Sequence, residues 1–301
     1  MDYRRANRAF LYMMVATVVM EFMVSMWAGV GGSLPVIASN LLCETIVLLP
    51  AVAAVLYSGD SLGSVMPLKG FKLSSALLSI VYMFALLPLT TLLNSISMLF
   101  VDNVVAEITP EVVGMPMWTM ILTIGIISPF IEEIVFRGFF FHTYKKSGRI
   151  LASAILSSVL FGMMHMNFNQ FAYAAVLGVM FSILVEATGS VLSSFLTHGL
   201  FNSLQVVYLY MTSDIVEEAA EVGAESILPT IGMLLVMSII FTPIAFCIVY
   251  KIAKLEGREV ALMNMLKGEK KEGKLVTFPL IVAMVISVGI MTLYAVVAGM
   301  Q

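Results

Sequence analysis

Apolar residues run through the 301-residue chain in long blocks, and polar residues are concentrated in the stretches between them. A helix of about 20 mainly apolar residues is long enough to cross a bilayer. Blocks of this kind lie near residues 9–30, 35–57, 74–100, 117–141, 149–165, 169–187, 190–211, 227–252 and 276–299. The pattern therefore predicts an all-α protein, a polytopic transmembrane helix bundle of about nine spans.

The charged residues between the blocks alternate in sign along the chain. Lysine and arginine are concentrated around residues 4–8, 69–72, 145–149 and 251–274, whereas acidic residues dominate around 102–111 and 214–225. Cytoplasmic loops of membrane proteins retain an excess of positive charge. The alternation therefore predicts a cytoplasmic N-terminus and a charged cytoplasmic loop before the last span.

The overall composition supports a membrane protein. Hydrophobic residues make up 60% of the chain and charged residues 12%, and the mean hydropathy is +1.01. Soluble globular domains are about 25% charged. The composition excludes a soluble domain and predicts a multi-pass protein of the cell membrane, with the lipid bilayer as one partner and no nucleic acid.

Four glutamates lie well inside the apolar blocks, away from the block ends: Glu21, Glu44, Glu132 and Glu133. An ionisable side chain at membrane depth costs about 2.5–3.5 kcal/mol, so such residues usually face an interior cavity and have partners. Glu133 and Arg137 are four residues apart and lie on one helix face, which predicts an ion pair. Glu132 is rotated by about 100° from Glu133 and stays free for another role. Pro129 cannot donate to the Gly125 carbonyl, so the helix is expected to loosen just before the glutamates.

Two of the three histidines lie within apolar blocks beside other motif residues. Phe161 and His165 are four residues apart in the fifth block, and His198 and Asn202 are four apart in the seventh. Each pair therefore shares one helix face. The third histidine, His142, lies with lysines at the predicted cytoplasmic edge, where no special role is needed.

Together these residues resemble the CAAX-processing and bacteriocin-processing intramembrane proteases. The family pattern is Glu-Glu-x-x-x-Arg on one helix, Phe-x-x-x-His on a second and His-x-x-x-Asn on a third. This chain has all three in that order, as Glu132-Glu133 with Arg137, Phe161 with His165, and His198 with Asn202. The resemblance covers roughly 114–212 and divides the chain into N-terminal helices (1–113), a protease core (114–212) and C-terminal helices (213–301).

The resemblance implies a role for each motif residue. Glu132 and His165 are expected to hold and activate a water, His198 and Asn202 to stabilise the oxyanion, and Glu133 and Arg137 to support them. No cofactor is expected in this form. A zinc-dependent form, with Glu132, His165 and His198 as the three ligands of an open catalytic site, stays an alternative. The implied substrate is a membrane-associated peptide or protein, prenylated or not.

Two other classes of function remain open from the residues alone. Intramembrane acids and histidines also form proton relays, so a proton-coupled transporter could use Glu21 and Glu44. A catalytically silent membrane scaffold is the other alternative. The protease hypothesis requires Glu132, His165, His198 and Asn202 to converge, and the other two hypotheses do not.

Overall fold

The structure is a computed structural model that describes residues 2–219, 227–267 and 274–298. The ranges 220–226 and 268–273 belong to two of the charged loops from which sidedness was predicted, and they lie outside the described residues. The described part of the chain is helical and contains no strand. The all-α class predicted from the apolar blocks is therefore confirmed.

Long helices occupy every predicted block within the described residues. They are α1 Tyr3–Gly29, α2 Val36–Ser58, α3 Leu73–Ser97, α4 Met117–Lys145, α5 Ile150–Met164, α6 Phe168–Thr188, α7 Val191–Ala219, α8 Ile227–Glu256 and α9 Phe278–Ala298. Shorter helices cover Leu62–Val65, Val104–Val113 and Glu259–Lys267. Helices suit a bilayer because they pair most backbone groups within one segment, where no water is present to do so.

Seven of these helices are long and apolar enough to cross a membrane by length and composition: α1, α2, α3, α4, α6, α8 and α9. Helix α5 has 15 residues, fewer than the about 20 that a straight span needs. Helix α7 is long enough, but the polar residues around His198 and Asn202 lower its mean hydropathy. The count of nine spans and the cytoplasmic N-terminus stay predictions.

The helices pack without a boundary between the three predicted segments. Helix α3 lies along α8, so the N-terminal and C-terminal segments are in contact, and α6 packs against α3, α5 and α8. Helix α1 packs on α2 and α9. The division at residues 113 and 212 stays a prediction.

Phenylalanines fix the position of α4 within the bundle. The aromatic run at its C-terminal half is fully buried, and consists of Phe136, Phe139, Phe140 and Phe141. The Phe140 ring meets Phe10 of α1 edge-on at 5.9 Å, and the Phe136 ring lies 5.1 Å from Phe161 of α5. Aromatic pairs at such distances contribute beyond their buried area. This packing holds the glutamate-bearing helix against α1 and α5.

Candidate active site

Helix α4 changes its hydrogen-bond register on both sides of the glutamates. Ser128–Glu133 is α-helical, whereas Ile121–Ile127 before it and Ile134–Phe141 after it are π-helical. The loosening predicted at Pro129 is therefore present. Such π-helical segments occur often at functional sites. The register also changes which carbonyl Pro129 leaves unpaired.

The sequence predicted that Gly125 would lose its hydrogen bond, because Pro129 follows it by four residues. In the π register the partner lies five residues on, as in the bond from the Ser128 N–H to the Thr123 carbonyl. Because proline has no N–H, Pro129 therefore leaves the carbonyl of Ile124, and not that of Gly125, without its hydrogen bond within the helix. Nδ2 of Asn202 donates to that Ile124 carbonyl at 3.2 Å. The motif asparagine thus ties α7 to the opened segment of α4.

Glycines allow α4 and α7 to approach closely at this level. A Cβ at Gly125 would lie 2.4 Å from Oγ of Ser203, and a Cβ at Gly199 would lie 3.0 Å from the Gly125 carbonyl oxygen. The first distance is shorter than real Cβ contacts. The glycine of the His-Gly-Leu-Phe-Asn stretch therefore helps to bring its histidine and asparagine next to α4.

The predicted ion pair between Glu133 and Arg137 is present and buried. Nη1 of Arg137 lies 2.9 Å from Oε1 of Glu133, and the side chains are 1% and 0% exposed. The two atoms are within ion-pair distance, but no nitrogen of Arg137 makes an aligned hydrogen bond within the described residues. The contact is therefore electrostatic, and the low-polarity surroundings strengthen it.

Aromatic rings and a glycine complete the surroundings of Arg137. Its guanidinium lies 4.3 Å from the centre of the Phe161 ring and 5.4 Å from that of Phe181, both within cation–π range. A Cβ at Gly178 would lie 2.8 Å from Nη2 of Arg137. The glycine therefore leaves the space that the guanidinium fills.

His198 lies between the two glutamates. Its Nδ1 is 2.9 Å from Oε1 of Glu133, whereas its Nε2 is 3.6 Å from Oε2 of Glu132. The first distance is that of a hydrogen bond and the second is too long for one. Because a carboxylate can only accept, Nδ1 carries the proton in this arrangement. Glu133 therefore orients the His198 ring, a contact that the sequence did not predict.

Phe161 connects His165 to this group. The Phe161 ring meets the rings of His165 and His198 edge-on, at 5.0 and 5.8 Å. Nδ1 of His165 lies 3.0 Å from the Phe161 carbonyl oxygen. That oxygen can only accept, so Nδ1 donates and Nε2 of the neutral ring is left as an acceptor.

The motif residues of α4 and α5 lie at the same depth in the bundle. The two helices are joined by the short turn 146–149 and pack against each other, so they run antiparallel. Arg137 stacks on Phe161, which sets their relative height. Glu133 is one turn back from Arg137 and His165 is one turn on from Phe161, so both lie on the same side of that contact.

The structure thus brings together most of the predicted site. Glu132, Glu133, Arg137 and His198 form one contact group, and His165 is joined to it through the Phe161 ring. Asn202 is one turn from His198 but bonds to Ile124.

The zinc alternative fits this arrangement poorly. Among the described residues, no three His, Cys, Asp or Glu side chains are grouped so that they could hold a metal ion. Catalytic zinc needs three protein ligands within about 2.3 Å of the ion. The Nδ1 atoms of His165 and His198 are engaged by a carbonyl and a carboxylate, which leaves Nε2 as the nitrogen of each ring that a metal could reach.

Helix α2 contributes polar groups that the sequence analysis did not assign to the site. Glu44 is buried and interacts electrostatically with Glu132, and its Oε2 has no hydrogen-bond partner within the described residues. Oγ of Ser128, beside Pro129, lies 3.0 Å from Oδ1 of Asn40. Asn40 and Glu44 are four residues apart in an apolar helix, so the spacing that paired Glu133 with Arg137 also marks this face of α2.

Comparisons with known proteins point to the same residues. Residues 114–204 match the family model described as Type II CAAX prenyl endopeptidase Rce1-like. The Bacillus subtilis (strain 168) protein named "Putative membrane peptidase YdiL" is 26% identical over 88 residues, which are 29% of this chain and 36% of that relative. The chain therefore matches little more than a third of the relative's length. No solved structure matches the chain.

The family match and the helices agree on the kind of protein. Seven described helices are long and apolar enough to span a membrane, the matched family model is that of an endopeptidase, and the similar Bacillus subtilis protein is named as a membrane peptidase. The chain is a multi-pass integral membrane protein. All seven motif residues, from Glu132 to Asn202, lie inside the matched stretch. Residues 114–204 are accordingly similar to the Rce1-like type II CAAX prenyl endopeptidases.

Proposed function

We propose that this protein is an intramembrane endopeptidase that hydrolyses a peptide bond in a membrane-associated peptide or protein. The observation that carries the proposal is the position of His198 between an immobilised and an accessible glutamate. Glu133 is 0% exposed and is held by Arg137, whereas Glu132 is 18% exposed and lies 3.6 Å from Nε2 of His198. A polar contact of that length leaves a place beside both groups for a water or a substrate carbonyl.

In the proposed reaction, Glu132 and His165 hold the attacking water. Glu132 takes one proton from the water, and the acceptor Nε2 of His165 receives the hydrogen bond of the other. The water oxygen then attacks the carbonyl carbon of the scissile bond. General-base catalysis of this kind contributes roughly 100- to 10,000-fold.

The attack creates an oxyanion that needs hydrogen-bond donors. The proposal assigns this role to His198 and Asn202. A doubly protonated His198 has a second N–H at Nε2, and Asn202 has a second N–H besides the one donated to Ile124. Glu132 then gives its proton to the leaving nitrogen as the C–N bond breaks, which regenerates its carboxylate and balances the reaction.

Glu133 and Arg137 act as positioning residues in this scheme. Glu133 fixes the ring of His198 through Nδ1, and Arg137 fixes Glu133. A carboxylate that sets the orientation and tautomer of a catalytic histidine is a recurring arrangement in hydrolases. The two buried charges therefore support the reaction without contacting the substrate.

The proposal is tested by comparing membrane peptides in cells that produce the wild-type protein, Glu132→Ala or the control Glu111→Gln. Mass spectrometry should find peptides with new termini in wild-type and Glu111→Gln cells but not in Glu132→Ala cells. Glu111 is exposed and lies in the helix Val104–Val113, away from the motif residues. Identical peptide profiles in all three strains would favour a transporter or a scaffold instead.

The metal-free form of the mechanism makes a separate prediction. Active protein purified in detergent should contain well below one zinc per chain, and chelation should leave its activity unchanged. Elemental analysis of the active fraction measures the zinc content. Stoichiometric zinc that is lost together with activity, and restores it when added back, would replace this mechanism with the zinc-dependent one.

A further inference from the structure

A polar cavity lies at the C-terminal end of α4, beyond its buried phenylalanines. It has a volume of about 300 Å³, at the lower end of the range for small-molecule sites. Its lining comes from four separate parts of the chain, at helix ends and in the turns beside them: Gly63, Pro67, Lys69, His142, Lys145, Val185, Gly189 and Arg258. Three of the loops predicted to be cytoplasmic therefore meet around this cavity.

The cavity has an excess of positive charge. Lys69, Lys145 and Arg258 line it, and the buried Glu186 is the acid that pairs with two of them. Nζ of Lys145 lies 2.6 Å from Oε2 of Glu186, and Nη2 of Arg258 lies 3.3 Å from Oε1. One carboxylate thus holds two cations in place but balances only one of them.

Two donors remain available to a ligand. Lys69 is exposed and makes no ion pair within the described residues. Arg258 donates from Nε to the Glu186 carbonyl at 2.7 Å, which leaves Nη1 free in the described part of the chain. Gly189, with φ +75°, lies under the guanidinium, where a Cβ would be 3.0 Å from Nη1. The glycine both permits the turn after α6 and keeps the arginine in position.

We propose that this cavity binds a phosphate group, either that of an anionic phospholipid headgroup or free phosphate. The arginine supplies a planar set of donors that matches phosphate oxygens, and the lysines supply point charges. Basic pockets between transmembrane helices on the cytoplasmic side bind anionic headgroups in other membrane proteins. The site is distinct from that of the proposed hydrolysis, because its lining includes none of the seven motif residues.

The test uses native mass spectrometry of the full chain in detergent, with phosphatidylglycerol, phosphatidylcholine or inorganic phosphate added. Phosphatidylglycerol or inorganic phosphate should bind to the wild-type protein more tightly than phosphatidylcholine. Lys69→Gln and Arg258→Gln should each weaken that binding roughly fivefold, the effect of one basic residue near an anionic surface. Lys251→Gln, an exposed lysine that does not line the cavity, is the matched control and should bind as the wild type does.

The comparison of the added ligands distinguishes a phospholipid headgroup from free phosphate. Binding of inorganic phosphate with the same dependence on Lys69 identifies a free-phosphate site, and binding of phosphatidylglycerol alone identifies a headgroup site. Lys69→Gln removes no ion pair of the described structure, so it keeps the test valid if Arg258→Gln fails to fold. Equal binding of all three ligands by wild type and variants, or equal weakening by Lys251→Gln, would overturn the proposal.

Discussion

Glu132→Gln is expected to abolish peptide-bond cleavage by the purified protein, with a loss of at least roughly 100-fold. The amide cannot accept the proton of the attacking water or return it to the leaving nitrogen. The fold should persist, because within the described residues the nearest basic side-chain nitrogen to the Glu132 carboxylate is Nε2 of His198, 3.6 Å away. The measurement is the initial rate on a lipidated C-terminal peptide or on a peptide recovered from the cellular comparison.

Two further variants test the second water-binding residue and provide a control for the loss of a carboxylate. His165→Ala should cause a comparable loss, whereas Glu111→Gln should retain the wild-type rate. The thermal midpoint of Glu132→Gln should equal or exceed that of the wild type, because the substitution removes a carboxylate that has Glu133 and Glu44 nearby. Full activity of a well-folded Glu132→Gln protein would rule out Glu132 as the base.

Local features of the site could be predicted from the sequence. The ion pair of Glu133 and Arg137 follows from a spacing of four residues on one helix, which fixes the geometry without knowledge of the neighbours. The same reasoning gave the loosened helix at Pro129, since the missing N–H is a property of that residue. Helix positions were predictable because apolar length sets them.

Contacts between helices could not be predicted in this way. The bond from His198 to Glu133 depends on the relative height and rotation of α4 and α7, which side-chain packing decides. The bond from Asn202 to the Ile124 carbonyl also depends on the π register, which moved the unpaired carbonyl by one residue from Gly125. Glu44 was recognised only as a buried acid, because nothing in its own helix indicates that it lies near Glu132.

Arg137→Met is expected to destabilise the protein by about 3–5 kcal/mol, the usual cost of breaking a buried ion pair. Methionine is apolar and of comparable length, so this variant removes the charge while it limits the cavity. Glu133 would keep its hydrogen bond to His198 but lose the cation that balances its charge in a fully buried position. Arg137→Ala should cost more, because it also leaves a cavity beside Phe161 and Phe181. The free energy of unfolding in detergent measures both effects.

A double-mutant cycle separates the pair from the packing. Glu133→Gln with Arg137→Met removes both charges and should recover much of the stability lost in Arg137→Met, because no uncompensated charge remains buried. Activity should stay low in the double variant, since an amide at position 133 no longer holds His198 as the carboxylate does. Strictly additive losses would mean that the 2.9 Å contact carries no coupling energy. Arg137 would then stabilise the fold through the rings of Phe161 and Phe181, and Glu133 would act on His198 alone.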